Sequence, residues 1–441
     1  MPALPRLAFL ITLLATPASA QASDWLTRDT LTGDWGGTRT ALKDKGVTVG
    51  LSWTMEGLGN ATGGIRQGAV YDGFTDLQFD FDLEKLAGWK GGTIRVAGYS
   101  TQGHGLSSKD IGNLLTVSSI ESAPVFWLGE VYLDQKLGDT LALRIGQLGV
   151  DQDFWISDTA GVFINSTFGW SGFNGLNLPN GGNAVPLPTP GVRLRWSPDA
   201  AWSLQGAVYN GNPLGGNDNN PNGLSFPVND GVLAIIEASY TSAPKGGLSG
   251  TYKVGAWYNS ESFDNLSLAA NGVSLADPAA SGPLRQSGMY ALYAMVDHQL
   301  WAKPGADGEG LSGFLRIAVA PEQDRSPVTF YFDTGLAYTG LLPGRPDDIL
   351  GLGFAYAGLS SSLADLDRAT NAFTGVNGPV QDYEAVIELT YQAAVTPWLS
   401  VQPFFQYVIH PGGNVPSPLG TNPTQAMDNA AVFGVRSAVT F

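Results

Sequence analysis

The sequence predicts an all-β fold, a sixteen-stranded antiparallel β-barrel that crosses a membrane with strands. Three observations carry this expectation: a two-residue alternation along the chain, connections that are long and short by turns, and a charge content too low for a soluble chain of this length. Residues 76 to 84 show the alternation at its strictest. As a strand they place Asp76, Gln78, Asp80, Asp82 and Glu84 on one face and Leu77, Phe79, Phe81 and Leu83 on the other. A single such segment describes any half-exposed antiparallel sheet. Its recurrence behind a secretory signal and ahead of a terminal Phe441 points to a barrel in an outer membrane.

Arg6, the apolar run Leu7 to Ala15 and the small residues Ala18-Ser19-Ala20 read as a signal peptide over 1–20, cleaved after Ala20. The segment 21–46 then precedes a barrel over 47–441. No later stretch approaches the roughly 20 apolar residues of a spanning helix, so any crossing uses strands. Charged residues are 14% of the chain, against about 25% in ordinary soluble domains, while Gly (58 residues) and aromatics (11%) are high. A barrel accommodates this because its widest surface faces lipid. A formal net charge of −16 argues against nucleic acid as a partner and suggests acidic loops or lumen. The lack of Cys fits export without disulfides.

Alternating runs bounded by Gly, Pro, Asn and Asp give strands at 47–56, 74–84, 93–100, 126–136, 141–148, 191–197, 202–209, 231–241, 250–259, 288–299, 313–320, 328–337, 349–357, 381–393, 399–409 and 432–441. Bacterial barrels have an even strand number, short periplasmic turns and long outer loops. The gaps follow that rhythm. Those at 57–73, 101–125, 149–190, 210–230, 260–287, 358–380 and 410–431 are long and each follows an odd-numbered strand, whereas 85–92, 137–140, 198–201, 242–249 and 394–398 are short. Both termini therefore fall on the short-turn side. The brief 321–327 and the extended 300–312 and 338–348 break the rhythm and put a neighbouring strand in question. Trp53, Trp196, Trp202, Trp398 and Tyr407 at strand ends suit interfacial aromatic girdles. Residues 31–46 suggest a short periplasmic helix with Thr38 as cap and Gly46 as stop.

Four separated stretches occur in a recognisable order. They are Leu31-Thr32-Gly33-Asp34-Trp35-Gly36-Gly37-Thr38-Arg39 through Gly46; Arg144-Ile145-Gly146-Gln147-Leu148 leading to Asp153-Phe154; Phe163-Ile164-Asn165-Ser166-Thr167-Phe168-Gly169; and Tyr391-Gln392 with Thr396-Pro397-Trp398-Leu399 to Pro411-Gly412-Gly413. In these the chain resembles the carbohydrate-selective porins, the OprB family, over essentially its whole mature length. The resemblance implies a sixteen-stranded outer-membrane porin. It also implies passive sugar diffusion through an eyelet of inward loops, arginines and acidic residues.

A sugar has no charge but many hydroxyls, so its passage needs a lining that replaces water contacts without holding the solute. Paired Arg and carboxylate groups supply donors and acceptors with no strong field of one sign. The expected lining is Asp76 and Asp80 on the second strand, Arg95 on the third, Glu130 on the fourth, Arg144 on the fifth and Arg193 and Arg195 on the sixth, with Glu130 and Arg144 approaching across a short turn. The segment 149–190 is too long for a simple connection. It is expected to fold inward as the constriction loop, carrying Asp151, Asp153, Trp155, Asn165, Phe168 and Trp170. Phe441 resembles the C-terminal signal read by the outer-membrane assembly machinery.

Enzymatic chemistry is not expected. Only His104, His298 and His410 could serve as imidazole bases, and neither a Gly-x-Ser-x-Gly elbow nor a Cys/His metal spacing appears. No cofactor or metal is therefore called for. The expected partners are sugar solutes, outer-membrane lipid and the assembly machinery, with association into a homo-oligomer left open. The rival readings are a general or cation-preferring pore and a barrel with an adhesive or binding role.

Overall fold

A computed structural model describes residues 25–215, 220, 222–243, 247–306 and 308–441. The predicted signal peptide, 1–20, lies outside the described residues. The sixteen strands are β1 (Val47–Thr62), β2 (Gly68–Asp82), β3 (Gly92–Gly103), β4 (Val125–Leu137), β5 (Leu141–Leu148), β6 (Thr189–Trp196), β7 (Trp202–Asn210), β8 (Val232–Ser242), β9 (Gly250–Ala269), β10 (Pro283–Ala302), β11 (Gly310–Val319), β12 (Val328–Thr339), β13 (Ile349–Leu359), β14 (Tyr383–Thr396), β15 (Leu399–Ile409) and β16 (Ala430–Thr440). Each pairs antiparallel with its sequence neighbours, and β1 pairs with β16 from Ser52↔Thr440 to Thr62↔Ala431, which closes the barrel. Closure leaves no backbone edge to lipid, the condition for strands to cross a bilayer.

The side chains are sorted the reverse of a soluble sheet. In β14, Leu389 is 47% exposed on the outer wall, while Glu388 and Thr390 beside it are 0% and 1% exposed inside. Ile145, Leu194, Ile236, Val254, Leu292 and Leu352 likewise stand on the exterior. Trp202, Tyr240 and Tyr252 stack side by side at the short-turn end, with ring centroids 4.7 and 6.3 Å apart, as a girdle does. Trp398 departs from the girdle expectation. It is covered by Trp25, edge-on at 4.8 Å, and donates its indole N–H to the Trp25 carbonyl at 2.9 Å.

Several strands run past their predicted ends. β9 and β10 continue as a ribbon through much of the expected loop 260–287, tied by Arg285 to Asp264 at 2.9 Å and Asn265 to Gln286 at 2.9 Å. Beyond the bilayer both faces of a strand are wet, so the hydrophobic alternation that marks it disappears. All sixteen predicted strands are present, including those beside the irregular connections. The long turn 340–348 is itself ordered by Arg345, which pairs with Asp348 at 2.7 Å.

Before β1 lies α1 (Thr38–Asp44). Thr38 is its first helical residue rather than its cap, a position held by Gly37; Asp34, upstream, accepts from the Thr40 backbone N–H and hydroxyl, each at 2.9 Å. The stop at Gly46 has φ +97°, and a Cβ there would come within 2.9 Å of Lys85 Cβ, so glycine is required twice over. Further short helices are α2 (Leu83–Ala87), α3 (Gly172–Asn177) and, in an outer loop, α4 (Ser361–Thr374). The hydrophobic core sits inside the barrel, where Leu115, Phe154, Phe163, Phe168 and Phe173 from two infolded loops pack against wall residues Phe314 and Tyr331.

Candidate functional site

The register of β2 to β6 brings the charged residues of five neighbouring strands onto one inner wall. Arg95 on β3 lies directly across from Asp80 on β2 and makes two bonds to it, at 2.7 and 2.9 Å. Arg144 on β5 lies directly across from Asp134 on β4, bonds it at 2.8 Å, and rests its guanidinium 4.4 Å from the Tyr132 ring centre. Glu130 does not take the predicted place beside Arg144. The register sets Tyr132 between them, and Glu130 accepts instead from the Gly149 N–H at 3.3 Å.

Asp153, from the start of the loop 149–188, drops into the middle of the arginines. It lies 3.1 Å from Arg144, 3.6 Å from Arg193 and 3.6 Å from Arg195. Arg193 also reaches Asp134 at 3.1 Å, and Arg195 bonds Gln205 at 2.9 and 2.7 Å. Two residues expected to line the pore are shielded by this arrangement. Arg193 is 2% exposed behind the two aspartates, and Glu130 is covered by the loop's first turn. Asp76, Asp80, Arg95, Asp134, Arg144 and Arg195 stay half-buried on the inner wall.

The loop 149–188 crosses the lumen and is pinned to the far wall through its backbone. Trp155 N–H donates to Glu237 on β8 at 3.2 Å, Thr159 N–H to Asp297 on β10 at 3.0 Å, and Ile164 and Asn165 N–H to Glu388 on β14 at 2.7 and 2.8 Å. Arg316 on β11, fully buried and paired with Asp333 on β12, donates to the carbonyls of Trp155, Thr167 and Gly169. Carboxylates on strands thus take up the N–H groups, and a guanidinium the C=O groups, of an irregular segment that has no ladder of its own. Trp155, with φ +64°, Asn165 and Phe168 are consequently buried anchors and do not project into open lumen. Asp151 holds the loop's return by accepting from Val185 N–H at 3.2 Å, and its burial pushes its carboxyl up to about 6. Trp170 stays half-buried, its indole N–H donated to Gly181 at 2.9 Å.

A second infolded loop, 104–124, was not foreseen. Leu114 and Leu115 N–H donate to Glu384 on β14, the latter at 2.6 Å, and Ser119 and Ser166 couple the two loops through backbone bonds of 3.0 Å. Glu121 accepts from the Ser107 N–H at 3.0 Å and hydroxyl at 2.8 Å, and burial pushes it up to about 7.

A family model described as "Carbohydrate-selective porin, OprB family" matches residues 66–441. The chain belongs to that family. Porin B of Pseudomonas aeruginosa is 28% identical over 455 residues, which span 97% of this chain and 93% of that protein. The putative porin QuiX of Acinetobacter baylyi is 24% identical over 450 residues, 95% of each. The high-pH structure of Pseudomonas putida OprB matches with a TM-score of 0.83 at 27% identity, covering 94% of this chain and 99% of that one. The protein is thus an OprB-family porin of the Gram-negative outer membrane, built as a channel. In this OprB-family porin the anchors Arg316, Asp333, Glu237, Glu384 and Glu388 are not among the residues expected to shape the pore, although the same alternation puts them on the inner face. Arg316 lies between Leu315 and Ile317 and faces Asp333 across the β11–β12 register.

Proposed function

We propose that this OprB-family porin passes small uncharged sugars, monosaccharides first, by passive diffusion through an eyelet bounded by the inner wall of β2 to β6 and the loop 149–188. The observation that carries this is the set of half-buried arginines, Arg95, Arg144 and Arg195, each held by a carboxylate or amide partner beside an inward loop. Their side chains are fixed in advance, so a passing hydroxyl finds oriented donors and acceptors at little entropic cost. Charges of both signs alternate along this wall, so an ion gains less than it would in a field of one sign. The same reading has the chain exported by its first twenty residues and assembled through a signal ending at Phe441.

The test is liposome swelling with glucose, a disaccharide and an amino acid of glucose's size. Faster entry of glucose than of the amino acid is expected. Entry ordered by size alone would leave a general pore. A cation-preferring pore is the second reading, favoured by the surplus of Asp76, Asp80, Glu130, Asp134, Asp151 and Asp153 over four nearby arginines. Reversal potentials across a salt gradient separate the two.

A further inference from the structure

On the outer side of the eyelet a cavity of about 520 Å³ lies between the wall at Phe74 and Thr101, the loop 104–124 and the loop 149–188. This is the size of a small-molecule site, roughly 300–1,000 Å³. Its lining differs in kind from the eyelet. No lysine, arginine or histidine is among the described residues that line it. Its two carboxyls, Glu121 and Asp151, already accept hydrogen bonds from Ser107 and Val185, and burial raises both toward neutrality. The other polar groups are neutral, among them Ser118, Ser122, Gln152 and Asn180. Trp170 supplies the large aromatic surface. Its ring is fixed by the bond to Gly181 and by close packing on Gly182, where a Cβ would stand 3.5 Å from Trp170 Cζ2.

We propose that this vestibule is a capture site for an uncharged sugar ring, which lies on the Trp170 indole and meets neutral hydroxyl and amide groups before it descends to the arginines. A pyranose has an apolar C–H face that sheds water against an aromatic ring and a rim of hydroxyls that both donate and accept, which neutral Ser, Gln and Asn side chains match. Arg436, which donates to Ser119 at 2.9 Å and to Ser118 at 3.3 Å, is already paired with Glu56, so a zwitterion or an anion finds no unpaired cation for its carboxylate among the described lining residues and stays desolvated at a cost. The inference rests on the sugar-porin reading and adds a second site to it, so glucose flux should saturate.

The experiment measures glucose entry into proteoliposomes over a range of concentrations for the wild type, W170A and W170F, with potassium chloride conductance recorded alongside. One lost aromatic contact corresponds to a rise of about threefold to tenfold in the half-saturating concentration. That rise is expected in W170A, whereas W170F keeps a ring face and the wild-type value. Unchanged half-saturation in W170A overturns the proposal. An equal rise in both variants overturns it too, because the Gly181 bond and not the ring face would then matter. Should W170A not assemble, W170L removes the ring while keeping bulk and is read the same way. The wild-type preference for glucose over the size-matched amino acid is measured in the same vesicles. Loss of that preference defeats the sugar-porin reading itself; its persistence with an unshifted W170A defeats only the vestibule site.

Discussion

Arg144 serves three neighbours at once: Asp134, Asp153 and the face of Tyr132. Removing it takes away the shortest ion pair of Asp153, the residue that draws the loop against β5 and β6, and leaves Asp134 and Asp153 to share Arg193, with Arg195 3.6 Å from Asp153. R144A is therefore expected to change both conductance and the glucose-to-amino-acid entry ratio. R144K restores charge without the planar fork and should recover conductance better than selectivity. Equal sugar entry in wild type and R144A would remove Arg144 from the eyelet. Arg316 and Asp333 pose a different problem, because both are completely buried. Deleting one partner strands the other charge, at a cost of about 3–5 kcal/mol, whereas replacing both with apolar residues costs less. R316M and D333L should each lower the unfolding temperature in detergent more than the double variant does. A double variant as unstable as the sum of the singles would mean the carbonyl bonds of Arg316 to the loop outweigh its pair with Asp333.

The loop 149–188 and its companion 104–124 contain only short helical turns and no strand, and they persist because wall carboxylates satisfy N–H groups of their irregular stretches. Excising the middle of the 149–188 loop should widen the pore and raise single-channel conductance; an unchanged value would show that the loop does not limit flow. The companion loop carries a pH dependence with a definite sign. Glu121 has a folded pKa of about 7, above its usual 4.5, because burial disfavours the charged form. Between those values the folded protein binds more protons than the unfolded one, so the stability of the docked loop falls as pH rises and levels off above about pH 7. Protease sensitivity of residues 105–122 should accordingly be lower at pH 5 than at pH 8. E121Q, neutral throughout, should flatten that difference, and a wild-type loop equally resistant at both values would count against it.

At the scale of the whole molecule, the segment before β1 meets the C-terminal end of β16. Phe441 N–H donates to Leu51 across the closing seam at 2.9 Å, its carbonyl accepts from Arg39 at 2.6 Å, and Leu31 N–H donates to Thr440 at 2.8 Å. The segment before β1 thus clasps the last strand at the place where β16 joins β1. Deleting Phe441 removes both a seam bond and the terminal aromatic, and should lower the yield of folded barrel inserted into outer membranes. Normal yield of the truncated chain would exclude an assembly role for that residue.

Strand number, order and facing were legible in the sequence, because lipid outside and water inside impose a two-residue period on every spanning strand. The same period located Asp80, Arg95, Arg144 and Arg195 on the inner face and singled out 149–190 by its length. It could not give register. A shift along the ladder decides whether Arg144 meets Glu130 or Asp134, and only the paired strands fix that. Nor could it show that the loop 104–124 turns inward, or that Trp155, Asn165 and Phe168 anchor rather than line. Those outcomes depend on Glu237, Glu384, Glu388 and Arg316, which stand far along the chain and act only once the barrel closes. The sequence by itself determined the barrel, because each strand's facing is a local property. The tertiary structure decided how the two loops fold into the barrel, because their course depends on contacts between segments hundreds of residues apart.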